Sequence, residues 1–297
     1  MTPSLFSISY AGFWGQSTLS LTEFIQHAGK LGFSSVVIAG KRPHLSPLDA
    51  TPEFIKPVQD ALAEARVRCD VLAAYTNLAQ SDSVGCEVPL IEFQIAYVES
   101  LARVAAQLGA KVVRIFTAYE VEGQDPQTQW RRCVTAIREM CDRAAAHGVT
   151  IAIQNHHDLG LHTEALLELL ADIDRPNCKV GFDAWSPALR GESLYDAAKL
   201  AAPHTVITTN ADYLRVPRHR YRPELVNITN RSCPTGCARC DSGPASSTMP
   251  SFSEVCATAD STAWRFMKCA RPCVAAVRWR TSTPAQVHIW NGCVGAS

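Results

Sequence analysis

The feature that most constrains this chain is a change of character near Val226. Before it, short apolar runs alternate with helix-like segments, one pair every thirty residues or roughly so. From Ile228 to Ser297 there is no leucine, and isoleucine occurs only as Ile228 and Ile289. Cysteine becomes dense there instead, as Cys233, Cys237, Cys240, Cys256, Cys269, Cys273 and Cys293. A chain that builds one core throughout does not lose its main core residue at one point. Two regions follow, a barrel-forming region over 1–226 and an aberrant, cysteine-rich, leucine-free tail over 227–297.

In the front region, strands are expected over 5–10, 35–39, 69–75, 111–117, 149–154, 178–183 and 205–210. Helices are expected over 22–31, 51–67, 89–108, 125–148, 162–173 and 193–202. The punctuation supports them. Thr51-Pro52 and Asp125-Pro126 place a capping side chain before a proline in the first turn, and Gly32 and Gly109 stand where helices close. Continuous apolar strands alternating with helices imply a parallel sheet covered by helices. Seven regular units without an inserted second domain favour an α/β (β/α)8 barrel over an open doubly wound sheet. No Gly-x-Gly-x-x-Gly follows the first strand and no phosphate-loop motif occurs, which disfavours nucleotide binding. An eighth strand, expected after Tyr213, is not visible, so the eighth strand and helix read as missing or replaced.

The 28 basic residues balance the 28 acidic ones. Nucleic acid and anionic membranes both reward a basic excess, so neither is the expected partner. With no spanning segment and no signal peptide evident, the expected location is cytoplasmic. Cys69, Cys86, Cys133, Cys141 and Cys178 are scattered singly and read as reduced, mostly buried thiols. A small-molecule substrate is the expected partner, and a homo-oligomer is compatible with the fold.

In a parallel barrel, chemistry gathers at the C-terminal ends of the strands. The unusual polar residues of this sequence fall there. The fourth strand carries Arg114. The fifth ends in Gln154-Asn155-His156-His157-Asp158, the sixth in Asp183-Ala184-Trp185-Ser186, and the seventh in Thr209-Asn210-Ala211-Asp212-Tyr213. A basic loop, residues 215–222, follows. Each has a plainer reading: His157 or Asp158 as a cap, Asp183 bonded to loop amides, Arg114 in an internal ion pair, the basic loop as solvated surface. Three successive strands ending in carboxamide, carboxylate and imidazole groups nevertheless make an oxygen-rich site for a divalent cation.

These strand ends resemble the sugar phosphate isomerase/epimerase family, the xylose isomerase-like TIM barrels that also include the endonuclease IV type. The resemblance covers residues 5–226. Where that family has Glu-Asn-His on strand five, this chain has Gln154-Asn155-His156. Asp183 matches the Asp-x-x-His motif of strand six, with Ser186 in place of the histidine. Asp212 matches the His-x-Lys-Asp motif of strand seven, with Thr209 at the histidine position and Asn210 beside it. The family's last ligand, a glutamate ending strand eight, has no counterpart.

The resemblance implies a divalent metal (Mn, Mg or Zn) on Gln154, Asp183, Asn210 and Asp212, and catalysis by His156, His157 and Asp183. Arg114, Trp185, Arg218 and Arg220 would hold substrate. It implies an isomerase or epimerase acting on a small sugar, sugar phosphate or related hydroxy-carbonyl compound, by metal-assisted proton transfer through an ene-diolate. Gln154 can ligate through its carbonyl but is no base near neutral pH, which leaves the imidazoles as proton-transfer groups. Two other readings stay open: a non-catalytic barrel that binds a sugar or acid, and an inactive truncated member of the family. An endonuclease lacks its histidine and glutamate zinc ligands here.

The tail's Cys233, Cys237 and Cys240 have half the spacing of a zinc site but no second close pair. A shifted reading frame gives a fuller account. Across Met267-Lys268 the shifted codon is GAA, glutamate, whichever lysine codon is used. With G/C-leaning third bases chosen for the flanking codons, they can be read as an apolar strand preceded by a glycine turn, the missing eighth strand with its glutamate. On this reading the tail is a frameshift product. Taken as written, it would leave the first and seventh strands as exposed edges.

Overall fold

The computed structural model describes residues 2–13, 17–79 and 87–210, and the backbone path of strands 213–220, 231–239, 266–269, 287–290 and 293–296. Seven strands of the front region are β1 (Thr2–Phe6), β2 (Ser35–Ala39), β3 (Arg68–Ala73), β4 (Val112–Ile115), β5 (Thr150–Gln154), β6 (Cys178–Asp183) and β7 (Thr205–Asn210). Between them run helices α1 (Leu21–Lys30), α2 (Pro52–Ala65), α3 (Leu90–Gln107), α4 (Pro126–Ala145), α5 (Thr163–Ile173), α6 (Trp185–Arg190) and α7 (Leu194–Ala201).

Local chemistry sets the helix starts. Ser20 and Glu23 form a reciprocal capping box at α1, while the Thr51 and Asp125 side chains accept the Phe54 and Thr128 amides in the first turns of α2 and α4. The strands pair in parallel with their sequence neighbours, and every residue of β2 is buried. Such strands are covered on both faces, which is why they read as unbroken apolar runs.

The sheet closes as an eight-stranded barrel in the order β1, β10, β7, β6, β5, β4, β3, β2. Here β8 (Tyr213–Arg220) and β9 (Arg231–Arg239) form an antiparallel pair outside the barrel, and β10 (Phe266–Cys269) comes from the tail. The eighth position is therefore replaced rather than missing. Phe266 stands opposite Thr2 of β1 and Ile207 of β7, and the pairing continues to Cys269. The expectation that β1 and β7 would be open edges is corrected, because a ladder needs only backbone groups and not the apolar side chains by which a strand is recognised. A last pair, β11 (Val287–Trp290) and β12 (Cys293–Ala296), is separate.

Two further expectations change. The first strand begins at Thr2, and residues 7–10 turn into a buried 3-10 helix, where the Ser7 hydroxyl accepts the Ala39 amide at 2.8 Å. The basic segment taken as a loop has the backbone of a strand, β8, whose ladder slips by one residue between Val216 and Arg218. Pro217 has no amide to donate and sits at that slip.

The apolar residues divide into two layers. A large cluster packs the outer faces of the strands against the helices. A smaller one, including Val37, Ala39, Val71, Ala73, Val112, Ala152 and Ile207, fills the barrel interior. Side chains alternate along a strand, so the interior rows continue upward to Arg114, Gln154, Asp183 and Thr209. Beneath Gln154 and Asp183 stand only Ala152 and Gly181. A side chain at Gly181 would begin 3.2 Å from Ile207 Cγ1. The inner pattern of the sequence thus ends in a polar layer at the C-terminal mouth. Cys69, Cys133, Cys141 and Cys178 are free and buried, as expected, and Cys86 lies outside the described residues.

Candidate functional site

Strand order brings four of the sequence-identified groups into one layer. Gln154 at the end of β5 donates from Nε2 to Asp183 Oδ2 at 2.5 Å. The other carboxylate oxygen of Asp183 accepts the Trp185 amide at 3.0 Å, at the start of α6. Asn155 fixes the two strand ends from behind. Its Oδ1 accepts the Asp183 amide at 2.6 Å, and its Nδ2 donates to the Asp183 carbonyl at 3.0 Å. The plain reading of Asp183 as a loop-amide acceptor is thus true of one of its oxygens, while the other meets Gln154.

Arg114 is 1% exposed and forms no ion pair among the described residues. Its guanidinium lies 4.0 Å from the centre of the Phe116 ring and 4.9 Å from that of Tyr75. Nη1 donates to the Ala74 carbonyl at 2.9 Å, and Nε has no partner among the described residues. Burial pushes its pKa down, while the Tyr75 hydroxyl and the charge of Asp183 oppose that shift. Burial likewise pushes the Tyr75 hydroxyl up to about 12, so it stays protonated.

The two histidines meet over Phe116. Their Nδ1 atoms are 3.1 Å apart, and their rings lie 4.4 Å (His156) and 4.5 Å (His157) from the Phe116 ring. Tyr119 stacks on His157 at 3.9 Å, and Trp185 stands 6.0 Å from His156. Burial, and then the nearby Arg114, depress the pKa of His157 to about 4. The expectation that both imidazoles titrate near neutrality is corrected for His157. It is neutral under ordinary conditions, because a second positive charge beside Arg114 in an aromatic pocket is strongly disfavoured. Asp158 accepts the Glu120 amide at 2.9 Å, which ties two loops together, and its charge weakly opposes the depression of the His157 pKa.

Thr209 completes the layer from β7, and Asn210 follows it as the last residue of that strand, on the face of Thr208. Both are buried, and Asn210 Oδ1, Thr209 Oγ1 and, in α6, Ser186 Oγ have no partner among the described residues. Asp212 lies outside the described residues, and so do the side chains of Arg218 and Arg220, whose backbone lies in β8 outside the barrel sheet.

The donors do not fit a tightly held divalent cation. Among the described residues the set is one carboxylate, two carboxamides and hydroxyls, with a buried guanidinium beside them. Asp183, the sole anion, has both oxygens engaged. Hard divalent ions need several oxygen donors and enough negative charge to replace lost hydration. No group of three or more His, Cys, Asp or Glu side chains is placed to hold a metal among the described residues.

Lys41, Tyr75, Phe116 and Tyr119 were not identified from sequence. All four lie just beyond strand ends, and Lys41 stands two residues past the end of β2, so the strand-end rule would have found it. Aromatic residues carry no catalytic signature and read as core.

The family model for xylose isomerase-like TIM barrels matches residues 25–229. A 3-dehydroshikimate dehydratase of Bacillus anthracis is 24% identical over 225 residues, spanning 73% of this chain and 75% of the relative. The solved D-allulose 3-epimerase of a Methylomonas species, in complex with D-allulose, superposes with a TM-score of 0.64. It is 16% identical, with 90% of this chain and 83% of that one covered. A xylose isomerase-like TIM barrel protein of Mycobacterium smegmatis, solved with magnesium, gives a TM-score of 0.61 at 12% identity, with 90% of each chain covered. Enzymes named for work on sugars and related compounds therefore share this fold. No helix among the described residues is long and apolar enough to cross a membrane.

Proposed function

The chain belongs to the xylose isomerase-like TIM barrel family, and from that premise we propose that it is an isomerase or epimerase acting on a small hydroxy-carbonyl compound, a sugar, sugar phosphate or sugar acid, in the cytoplasm. The observation that carries this reading is a set of buried polar atoms at the strand ends without partners among the described residues: Arg114 Nε on β4, Ser186 Oγ after β6, and Thr209 Oγ1 and Asn210 Oδ1 on β7. A buried unsatisfied polar group costs about 1–3 kcal/mol, so four around one mouth suit a polyhydroxylated ligand that supplies the missing bonds.

In this reading the substrate carbonyl oxygen takes a hydrogen bond from Arg114. That charge stabilises the negative oxygen formed when the proton on the adjoining carbon leaves. His156 removes that proton and returns it, giving the epimer or the isomeric carbonyl. His157, neutral and fixed against Phe116 and Tyr119, positions His156 through the contact of their Nδ1 atoms. Asp183, oriented by Gln154, offsets the charge of Arg114. Thr209 and Asn210 take the substrate hydroxyls. No step is routed through a divalent metal, because the donors among the described residues do not suit one. Incubation with D-allulose, D-tagatose and 3-dehydroshikimate, with chromatography of the products, tests the reading. Conversion that is lost in Asp183→Ala supports it, and conversion unaffected by that substitution overturns it.

A second reading has its own observation. Gln154 stands where the family has a carboxylate and is spent on Asp183, which suits a barrel that binds a sugar or acid without turning it over. Saturable binding with no conversion would favour it.

A further inference from the structure

The loop after β2 brings a second cation to the mouth. Lys41 Nζ lies 3.9 Å from the centre of the Tyr75 ring and 4.6 Å from that of Phe13. Tyr75 is the same ring over which Arg114 lies. Neither Lys41 nor Arg114 forms an ion pair among the described residues, although the chain makes seven others there. Those other pairs all involve side chains more exposed than Arg114.

The backbone holds Lys41 firmly in place. The Gly40 amide donates to the Ala73 carbonyl at 2.8 Å, and Tyr97 Oη donates to the Gly40 carbonyl at 2.7 Å. The His44 amide donates to the Lys41 carbonyl at 3.1 Å. His44 is itself buried, bridging Ser7 Oγ at 3.0 Å and the Leu19 carbonyl at 3.1 Å. Gly40 has no room for a side chain, since a Cβ there would lie 2.6 Å from Leu101 Cδ1 and 3.1 Å from the Ala73 carbonyl. A solvated surface lysine has no need of this framework.

Two like charges over one ring repel, and partial burial removes the water that would screen them. Burial and Arg114 both push the Lys41 pKa down. Asp183 is the one carboxylate acting on Arg114, and it is engaged by Gln154 and the Trp185 amide. Among the described residues, the positive field at this side of the mouth is therefore unbalanced.

We propose that Lys41, backed by the buried Arg114, receives an anionic head group of the substrate, a carboxylate or a phosphate, and so selects sugar acids or sugar phosphates over neutral sugars. This deepens the proposed function and rests on it for the sugar part only. The anion is bound by the ammonium, and the aromatic faces of Tyr75 and Phe13 hold that ammonium in position by cation–π contact.

The test is calorimetric titration of the full chain with D-fructose, D-fructose 6-phosphate, 2-keto-D-gluconate and inorganic phosphate. The wild type is expected to bind the phosphate or the keto acid about tenfold or more tighter than fructose, the size of one charge-assisted hydrogen bond. Whichever of the two binds tighter identifies the head group. Lys41→Met is expected to erase the preference and Lys41→Arg to keep most of it, with melting temperatures confirming that both fold. Equal affinity for neutral and anionic sugars in the wild type overturns the anion site and leaves the proposed function standing. Binding of inorganic phosphate that Lys41→Met abolishes, with no sugar bound, upholds the anion site while the sugar reading falls. No binding of any of the four overturns the anion site.

Discussion

Gln154→Glu probes the polar layer most sharply. In the wild type the Gln154 amide donates to Asp183 at 2.5 Å, a hydrogen bond to a charged group worth about 1.5–3 kcal/mol. The substitution removes that donor and sets a second carboxylate against the first. At a separation of about 4 Å and an effective dielectric of about 20, the repulsion is ~4 kcal/mol, or ~3 pKa units. Arg114 offsets part of this, leaving an expected loss of about 3–4 kcal/mol when both groups are ionised. The sign follows from proton uptake. The folded pair keeps a proton that an unfolded glutamate releases near pH 4.3, so the variant is expected to match the wild type near pH 4 and to lose stability as pH rises toward 7. Above the raised pKa the loss is complete and no longer changes. At ~2–4 °C per kcal/mol, the melting temperature at pH 8 should fall by about 10 °C. Two carboxylates also make a cation site, so Mn²⁺ at millimolar concentration should restore much of the loss in the variant and leave the wild type unmoved. Thermal melts from pH 4 to 8, with Mn²⁺ or EDTA, decide it. A variant whose melting curve runs parallel to that of the wild type across pH, or a wild type that Mn²⁺ stabilises equally, would refute the argument.

Three other outcomes follow from the same geometry. Asp183→Ala removes the partner of Gln154 and the anion facing Arg114, and should lower turnover at least about 100-fold on every substrate while the chain still folds; activity near wild type contradicts this. His157 has a folded pKa depressed to about 4, so the folded state binds fewer protons than the unfolded one between pH 4 and 6.5 and stability falls as pH drops through that window. His157→Phe should flatten that fall in the melting temperature, and an unchanged slope shows that the burial argument is wrong. We also propose that residues 227–297 are a frameshift product distinct from the 1–226 barrel region. Resequencing codons 220–297 should reveal a missing or extra base that restores a glutamate-ending strand, and an unchanged sequence overturns this.

Much of the fold was legible because local rules and tertiary context agree. Thr51 and Asp125 cap helices at their expected starts, while Ser20 caps a helix that begins one residue before its expected start, and β2, β6 and β7 have the expected bounds. The β10 strand was not legible as written. Its residues carry no strand signature, and its backbone pairs with β1 on one side and β7 on the other. The shifted frame puts its glutamate at Met267-Lys268, within this same strand. α6 was also missed, because Ser-Pro within Trp185–Arg190 reads as a turn.

At the site, the rule that chemistry gathers at strand ends singled out Arg114, Gln154 and Asp183. The sequence could not show that Gln154 and Asp183 bond to each other, because that depends on the register of two strands. Nor could it show the depressed pKa of His157, which comes from Phe116, Tyr119 and Arg114 on another strand and loop. The strand-end rule reaches Lys41, but not its ring partners Tyr75 and Phe13, which lie in the segments after β3 and β1.

The central claim is that this mouth moves a proton on carbon next to a carbonyl. Proton NMR of D-allulose, D-fructose 6-phosphate and 2-keto-D-gluconate in deuterated buffer with the full chain tests it most directly. The account predicts that at least one of them loses the signal of the proton beside its carbonyl, as solvent deuterium replaces it, and that His156→Ala stops the loss. Saturable binding of these compounds with every such proton retained would contradict it.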